Sequence, residues 1–411
     1  MSNGGQVSYP NSNAPEPSGT AWDELTSPLL HTRYDNAKYQ MVDSDVLPFW
    51  IAEMDFPPAQ EIRDAWTDAI ASGSIGYVHE SLRLREGFAT FAKRRWGWDL
   101  KLEQMHATRD VYQAVRDALH LFLPENGGHI ALHTPNYNGF AVMFSALPQA
   151  KVSQLELQQT IAISDGRQTI SIDIDYAALE EYFRTASVDV FVLCNPHNPF
   201  GRVWSAAELE RLAQLCAKYR VAVVSDEIHA PLTHRDATFI PFAPIAAKHG
   251  VPCFVTTSAS KSWNIPGTKC ALLIAAGTAE TAILADFPTP INAGFDRFGY
   301  LGNLAAFTAG EAWLERAIER IEANQILLRE TLDPAIPVST PNASYLAWLD
   351  LRNLGLGDSP TQTLLSQQRI KLADGDVYGR GGQGFARFNV GCAPEMVIEG
   401  ARRINTAIGR N

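Results

Sequence analysis

From about residue 127 the chain repeats a rhythm in which short apolar runs, rich in β-branched residues, end in polar or proline-containing turns, with helical spacing after them. The runs are HIALHTP (129–135), VDVFVLCNP (188–196), VAVVSDE (221–227), PCFVTTSAS (252–260) and KCALLIAA (269–276). Their alternation with helical segments predicts an α/β fold, a mostly parallel central sheet with helices on both faces. Ser205 and Glu208 form an S-x-x-E capping box, followed by Leu209, Leu212, Ala213 and Cys216 at helical spacing, so NPHNPFGR (195–202) is a strand-to-helix loop.

After about residue 290 the pattern changes to one long helix, roughly 301–329, and then to TPNASYLAWLDL and GFARFNVGC, which read as strands. This predicts a second, smaller α+β domain. LPFWIAEMDFPP (47–58) is too rich in proline for a long helix and is expected to cross between the domains. The expected division is a disordered lead over residues 1–25, a small domain from 26–55 and 290–411, and a large domain from 56–289.

Length and composition sharpen this picture. A chain of 411 residues is long enough for two lobes, and 46% hydrophobic, 10% aromatic and 19% charged residues are ordinary for a globular enzyme. A formal charge of -11 repels phosphate backbones and anionic bilayers, so nucleic acid and membranes are poor partners, and an anionic cofactor would need a local cationic site. The five cysteines are scattered, form no C-x-x-C pair and mostly stand in apolar strings, as expected of buried free thiols in a reducing cytoplasm. No His or Cys pairs stand at metal-ligand spacing, so no metal is expected. The first 20 residues are neither basic nor apolar enough for a signal peptide, and no apolar run approaches the roughly 20 residues of a membrane helix. A cytoplasmic location is the expectation from these absent signals.

Open α/β sheets gather ligands at the carboxyl ends of their strands. There the sequence places Asn198, then Asp226 and His229 in SDEIHA, then Lys261 in TSASKSWNIPG. A lysine after a buried strand, among small hydroxyls, can form an imine with an aldehyde. A pyridine cofactor then needs a carboxylate to keep its ring nitrogen protonated, and Asp226 supplies one. Singly, each residue has a plainer reading: Lys261 a solvated charge, Asp226 a helix cap, Asn198 a turn residue, His229 a hydrogen-bonded structural histidine. In this order and together they point to pyridoxal 5'-phosphate.

The sequence resembles the fold-type I, aspartate-aminotransferase-like enzymes that depend on pyridoxal phosphate, and within them the cystathionine beta-lyase-like, carbon-sulfur lyase branch. LPFWIAEMDF, IGYVHES, CNPHNPFGRVW, SDEIHAPL, SASKSWNIPG, SYLAWLDL and GFARFN match that branch in order from about residue 30 onward. The resemblance implies that Lys261 holds the cofactor as an imine and later moves the α-proton, that Asp226 pairs with the ring nitrogen, and that Asn198 and His229 lie near the ring hydroxyl. It implies that Tyr137 stacks on the ring, and that the phosphate rests on Asp110, Val111 and Tyr112 at a helix start, helped by Ser258 and Lys269. Arg387 would grip the substrate α-carboxylate with a bidentate fork, beside Asn198 and Ala52. Tyr77 would reach the phosphate, with a catalytic part, from the neighbouring subunit of a homodimer.

Three places depart from the branch. TRDVYQA (108–114) replaces a loop that usually reads TPGVVPA, putting Arg109 and Asp110 in place of Pro-Gly and Tyr112 in place of a small residue. A carboxylate beside a phosphate is costly unless turned away or paired. PNYNGF (135–140) replaces PVYxPF, and Thr268 replaces a leucine. These changes leave the cofactor apparatus intact and weaken the inference to simple cystathionine, so the expected substrate is a cystathionine-like or a bulkier, more polar cysteine S-conjugate, as in a specialised biosynthetic pathway.

The implied reaction is β-elimination, giving a thiol, pyruvate and ammonia. The alternatives are an aminotransferase, or a decarboxylating or oxidatively deaminating relative. A non-catalytic regulator or scaffold fits poorly with the retained Lys261, Asp226 and Arg387.

Overall fold

The computed structural model describes residues 22–78, 81–286 and 294–410. Its centre is a seven-stranded sheet, in the order Met105–Thr108, Ala271–Ala275, Cys253–Thr257, Ala222–Asp226, Val190–Cys194, Gly128–Thr134 and Ala150–Glu156. The last five pair in parallel, while Ala271–Ala275 runs antiparallel to both of its neighbours. All five expected runs are strands, and the central ones are buried at every position, because helices cover both faces. Helix Ala206–Tyr219 starts with the expected box: Glu208 N–H donates to Ser205 Oγ, and Ser205 N–H donates to Glu208 Oε2.

A second, six-stranded sheet has the order Ala373–Asp374, Phe385–Asn389, Leu346–Asp350, Val338–Ser339, Arg167–Asp173 and Gln158–Ser164. Its last two strands come from the middle of the stretch expected to form the large domain. The Arg167–Asp173 strand pairs in parallel with Val338–Ser339, so the hairpin 158–173 extends the C-terminal sheet. The expected boundary at 289/290 falls in 287–293, outside the described residues.

The single helix expected near 301–329 is two, Arg297–Ala309 and Glu311–Thr331. The break is at Gly310, whose carbonyl accepts from Trp263 Nε1 at 2.8 Å. A Cβ at Gly310 would meet that indole nitrogen at 2.7 Å, so the bend depends on a partner 47 residues away. Of the expected lead, residues 1–21 lie outside the described residues. Its last residues pack: Trp22 and Leu25 are buried, and the Trp22 ring stacks on Phe56 at 4.2 Å.

The segment 47–56 crosses between the sheets. Leu47–Pro48 pairs in parallel with Ile370–Lys371, and Asn389 Nδ2 donates to the carbonyls of Ile51 and Glu53, each at 2.7 Å. Its far end is clamped by Asn264, which accepts from Met54 N–H at 2.9 Å and donates to the carbonyls of Met54 and Phe56. Lys38 Nζ lies 2.7 Å from Asp55 Oδ1 beneath the segment, with both side chains sealed from solvent. Removing one partner of such a pair strands a charge, at a cost of about 3–5 kcal/mol. Lys38→Met should therefore lower the free energy of unfolding in urea by roughly that amount, whereas a change under about 0.5 kcal/mol would mean that the pair does not hold the segment.

Candidate active site

The carboxyl ends of the central strands and the crossing segment enclose a cavity of about 170 Å³. Ala52, Asp110, Val111, Tyr112, Tyr137, Asn198, Asp226, His229, Ser258, Lys261 and Lys269 all contribute to its wall. The structure thus gathers most of the residues singled out in the sequence. Arg387 lies beside them and reaches Asn198, while Tyr77 is 81% exposed and outside this wall.

Lys261 follows strand Cys253–Thr257 after a short turn shaped by Asn303 and Ser258. Asn303 Oδ1 accepts from Ala259 N–H at 2.8 Å, and Ser258 Oγ donates to the Cys270 carbonyl at 2.7 Å and accepts from Ser260 N–H at 3.1 Å. The Ser258 hydroxyl is therefore engaged in shaping the turn. The Lys261 amine donates to the Ala52 carbonyl at 2.7 Å. Burial, and then the Arg387 charge, lower its pKa to about 8, against the pull of Glu53 and Asp226. A lysine so placed is an accessible nucleophile near neutral pH.

Asp226 ends the next strand. Burial raises its carboxyl to about 7, only partly offset by the Ile228 N–H on Oδ1 at 3.1 Å and by the Lys261 charge. Among the described residues no cation lies within ion-pair distance of it. Asp226 is thus a carboxylate short of a partner, and a protonated pyridine nitrogen in the cavity would be one.

Asn198 is buried and accepts from Arg387 Nη1 at 3.3 Å, while its own amide donors have no protein partner among the described residues. His229 Nδ1 faces Ser344 Oγ at 3.1 Å, and burial, then Lys261 and Arg387, lower its pKa to about 3, so it stays neutral. Its sequence position alone does not show the Ser344 contact. Tyr137 lines the cavity at the end of strand Gly128–Thr134, and burial, reinforced by Asp226, raises its hydroxyl pKa.

The altered loop has a simple geometry. Asp110 is the N-cap of helix Val111–Phe122, where its Oδ1 accepts from Gln113 N–H at 2.8 Å. Its other oxygen stands 3.7 Å from both Lys269 Nζ and Arg109 Nε. The charge is capped and neutralised, and the helix start still offers backbone N–H groups and a lysine to a phosphate.

Arg387, in the middle of strand Phe385–Asn389, is 4% exposed. Nη2 donates to the Trp50 carbonyl at 3.0 Å, Nε has no partner, and the guanidinium lies 5.2 Å above the Tyr378 ring. No carboxylate is within salt-bridge distance of it among the described residues. Tyr378, Ser344 and Asn303 complete the surroundings of Arg387, His229 and the Lys261 turn. The sequence carried no local signal for them: Ser344 and Asn303 act from segments far from their targets, and Tyr378 meets Arg387 only because the intervening turn folds back.

A buried lysine of lowered pKa, a buried carboxyl without an ion pair among the described residues, and a helix start beside a lysine would fit pyridoxal phosphate. The fold and site define a pyridoxal-phosphate-dependent enzyme of fold type I. The chain belongs to the aminotransferase class I and II family, whose family model matches residues 44–404. It is 33% identical over 414 residues to a Mycobacterium tuberculosis protein that carries the provisional name cystathionine beta-lyase, covering 94% of this chain and 98% of the relative. It is 31% identical to the cystathionine beta-lyase PatB of Bacillus subtilis, covering 89% and 93%. Among solved structures, OvoB superposes with a TM-score of 0.79 at 26% identity, covering 92% and 97%. With these relatives the chain is a pyridoxal-phosphate-dependent lyase. Among the described residues no helix is long and apolar enough to cross a membrane.

Glu227, next to Asp226, is buried, and burial raises its carboxyl to about 8 although Ser225 Oγ, Phe242 N–H and Asn195 Nδ2 all donate to it. Unfolded, it would lose its proton near the ordinary 4.5. Between these values the folded state binds more protons, so Glu227 makes stability fall as pH rises. In the holoenzyme, Glu227→Gln should flatten the decline in Tm between pH 5 and 8 ~. An unchanged slope would show that Glu227 is ionised in the fold.

Proposed function

We propose that the protein is a carbon-sulfur β-lyase that cleaves a cysteine S-conjugate to a thiol, pyruvate and ammonia. The observation that carries the amino-acid substrate is Arg387: a buried guanidinium with an unpartnered Nε and, among the described residues, no carboxylate within salt-bridge distance, hydrogen-bonded to Asn198, which lines the same cavity as Lys261. A buried cation left so is costly, and the α-carboxylate of an amino acid completes it with a bidentate contact.

Bound in the cavity, pyridoxal phosphate supplies an electron sink for the negative charge that develops at the substrate α-carbon. The residues do the rest. Lys261, with its pKa lowered to about 8, holds the cofactor and, when free, takes the α-proton. Asp226 would hold a proton on the ring nitrogen, and the Asn198 amide donors would serve the ring hydroxyl. Neutral His229, fixed by Ser344, adds no charge there. Tyr137 would cover the ring, and Val111, Tyr112 and Lys269 would take the phosphate. Ala52, whose carbonyl holds the Lys261 amine at 2.7 Å, lies on the substrate side with Arg387. Once the proton has gone, the electron pair expels the β-sulfur as a thiolate, and water hydrolyses the remaining dehydroamino acid.

The exposed Tyr77 is the residue proposed to serve the phosphate of a second subunit. Ile70 and Ile75, 64% and 59% exposed nearby, supply apolar surface for a homodimer. The division into a large cofactor-binding domain and a small domain is proposed with the 158–173 hairpin assigned to the small domain's sheet.

Incubation with L-cystathionine and bulkier cysteine S-conjugates, without a keto acid, should release thiol, pyruvate and ammonia in equal amounts. A keto acid that retains its sulfur, with conversion of the cofactor to its amine form, would replace this reading with transamination; carbon dioxide and an aldehyde would replace it with decarboxylation. Lys261→Ala should abolish the visible absorbance of the bound cofactor and turnover. Arg387→Ala should lower kcat/KM by about a hundredfold, the worth of a charge-assisted contact, and an unchanged KM and kcat would remove its role.

A further inference from the structure

Beside the cofactor cavity lies a second cavity of about 320 Å³, and the two share Tyr137 and Phe140 as their partition. The far side is built from helix Gly139–Ser145, the edge strand Ala150–Glu156 and the turn at Tyr378. Tyr378 carries the Arg387 guanidinium on its ring, so the second cavity opens next to the proposed carboxylate anchor. Its lining contains no Asp, Glu, Lys or Arg. Apolar surface from Phe144, Val152 and Val377 is joined by the amides of Asn138 and Gln154, whereas the Asn136 amide is spent within its loop on the His133 carbonyl and the Tyr137 N–H.

What sets the partition is Gly139. A Cβ there would stand 2.4 Å from Tyr137 Cε1 and Cζ and 2.6 Å from its hydroxyl oxygen. The Tyr137 ring is folded over residue 139, a position that no other residue allows. The related loop reads PVYxPF, so a proline at this place would turn the ring elsewhere. With Gly139, the ring rests on the backbone instead of filling one of the two spaces.

We propose that the second cavity is the subsite for the sulfur substituent of the substrate, and that Gly139 determines specificity by letting Tyr137 lie back between the two spaces. The substituent it takes is bulky, uncharged and partly apolar, with hydrogen-bonding groups for the amides. This rests on the reading of the cavity as an amino-acid site and narrows its substrate class.

The test uses holoenzyme with S-methyl-, S-benzyl- and S-carboxymethyl-L-cysteine, reading both the spectral titration of the bound cofactor and the rate of pyruvate release. S-benzyl-L-cysteine should bind about tenfold or more tighter than S-methyl-L-cysteine, as expected for burying an aromatic ring, and the anionic conjugate should gain nothing. Gly139→Ala, which displaces the Tyr137 ring and with it one wall of the cofactor cavity, should weaken both conjugates and cost the benzyl conjugate about tenfold more than the methyl conjugate. Ala141→Phe is a second variant, because Ala141 is exposed, lines the second cavity and does not line the first. It should reproduce that selective loss by filling the subsite. Equal affinity of the wild type for methyl and benzyl conjugates, or equal losses for both in Ala141→Phe, would overturn the proposal. If no conjugate releases pyruvate, the lyase reading fails, while the spectral titration still decides whether the subsite binds.

Discussion

Asp226 and Arg387 are charged groups carried on strands buried at every position, and neither has an opposite charge within ion-pair distance among the described residues. Lys261 lines the cavity with Asp226 and feels the Arg387 charge, with the Ala52 carbonyl as its acceptor. Burial without pairing is expensive, and it shifts the properties of all three groups in useful directions. The lysine approaches neutrality near physiological pH, the aspartate awaits a cation, and the arginine awaits a carboxylate. Were these groups to pair with one another, they would be more comfortable and chemically idle. The fold prevents this by mounting them on different elements around a shared space.

The segment 47–56 keeps that space open. It has almost no regular structure of its own, yet Asn389, Asn264 and the Lys38–Asp55 pair fix it from three sides. Its carbonyls then become part of the site: Trp50 receives Arg387, and Ala52 receives both Lys261 and the Tyr345 hydroxyl. The side chains of WIAEMDF are turned largely to anchoring while its backbone faces the cavity residues, as suits a proline-flanked stretch whose carbonyls are satisfied by side chains rather than by a strand partner.

The departures from the branch pattern have separate physical meanings. Asp110 becomes a helix cap whose other oxygen is shared between Arg109 and Lys269, so the added carboxylate is offset by two cations on the spot. Gly139 gives up a side chain, and its effect falls on the neighbouring Tyr137 and the space beside it. The first change is absorbed locally; the second reshapes the wall.

The sequence by itself determined the strand order of chemistry: apolar runs ending in Asn198, Asp226 and Lys261 could only place those residues at one edge of a parallel sheet, because alternating strands and helices fix which end each side chain meets. The capping box of Ser205 and Glu208 was legible for the same reason, since it depends on residues three apart. Only the tertiary structure decided the bend at Gly310, the transfer of hairpin 158–173 to the second sheet, the engagement of Ser258 by Cys270, and the support of His229 by Ser344 and of Arg387 by Tyr378. Each depends on contact between different elements, some far apart in sequence and some, as with Tyr378 and Arg387, only a turn away, where periodicity and propensity carry no information and only packing in three dimensions selects the partner.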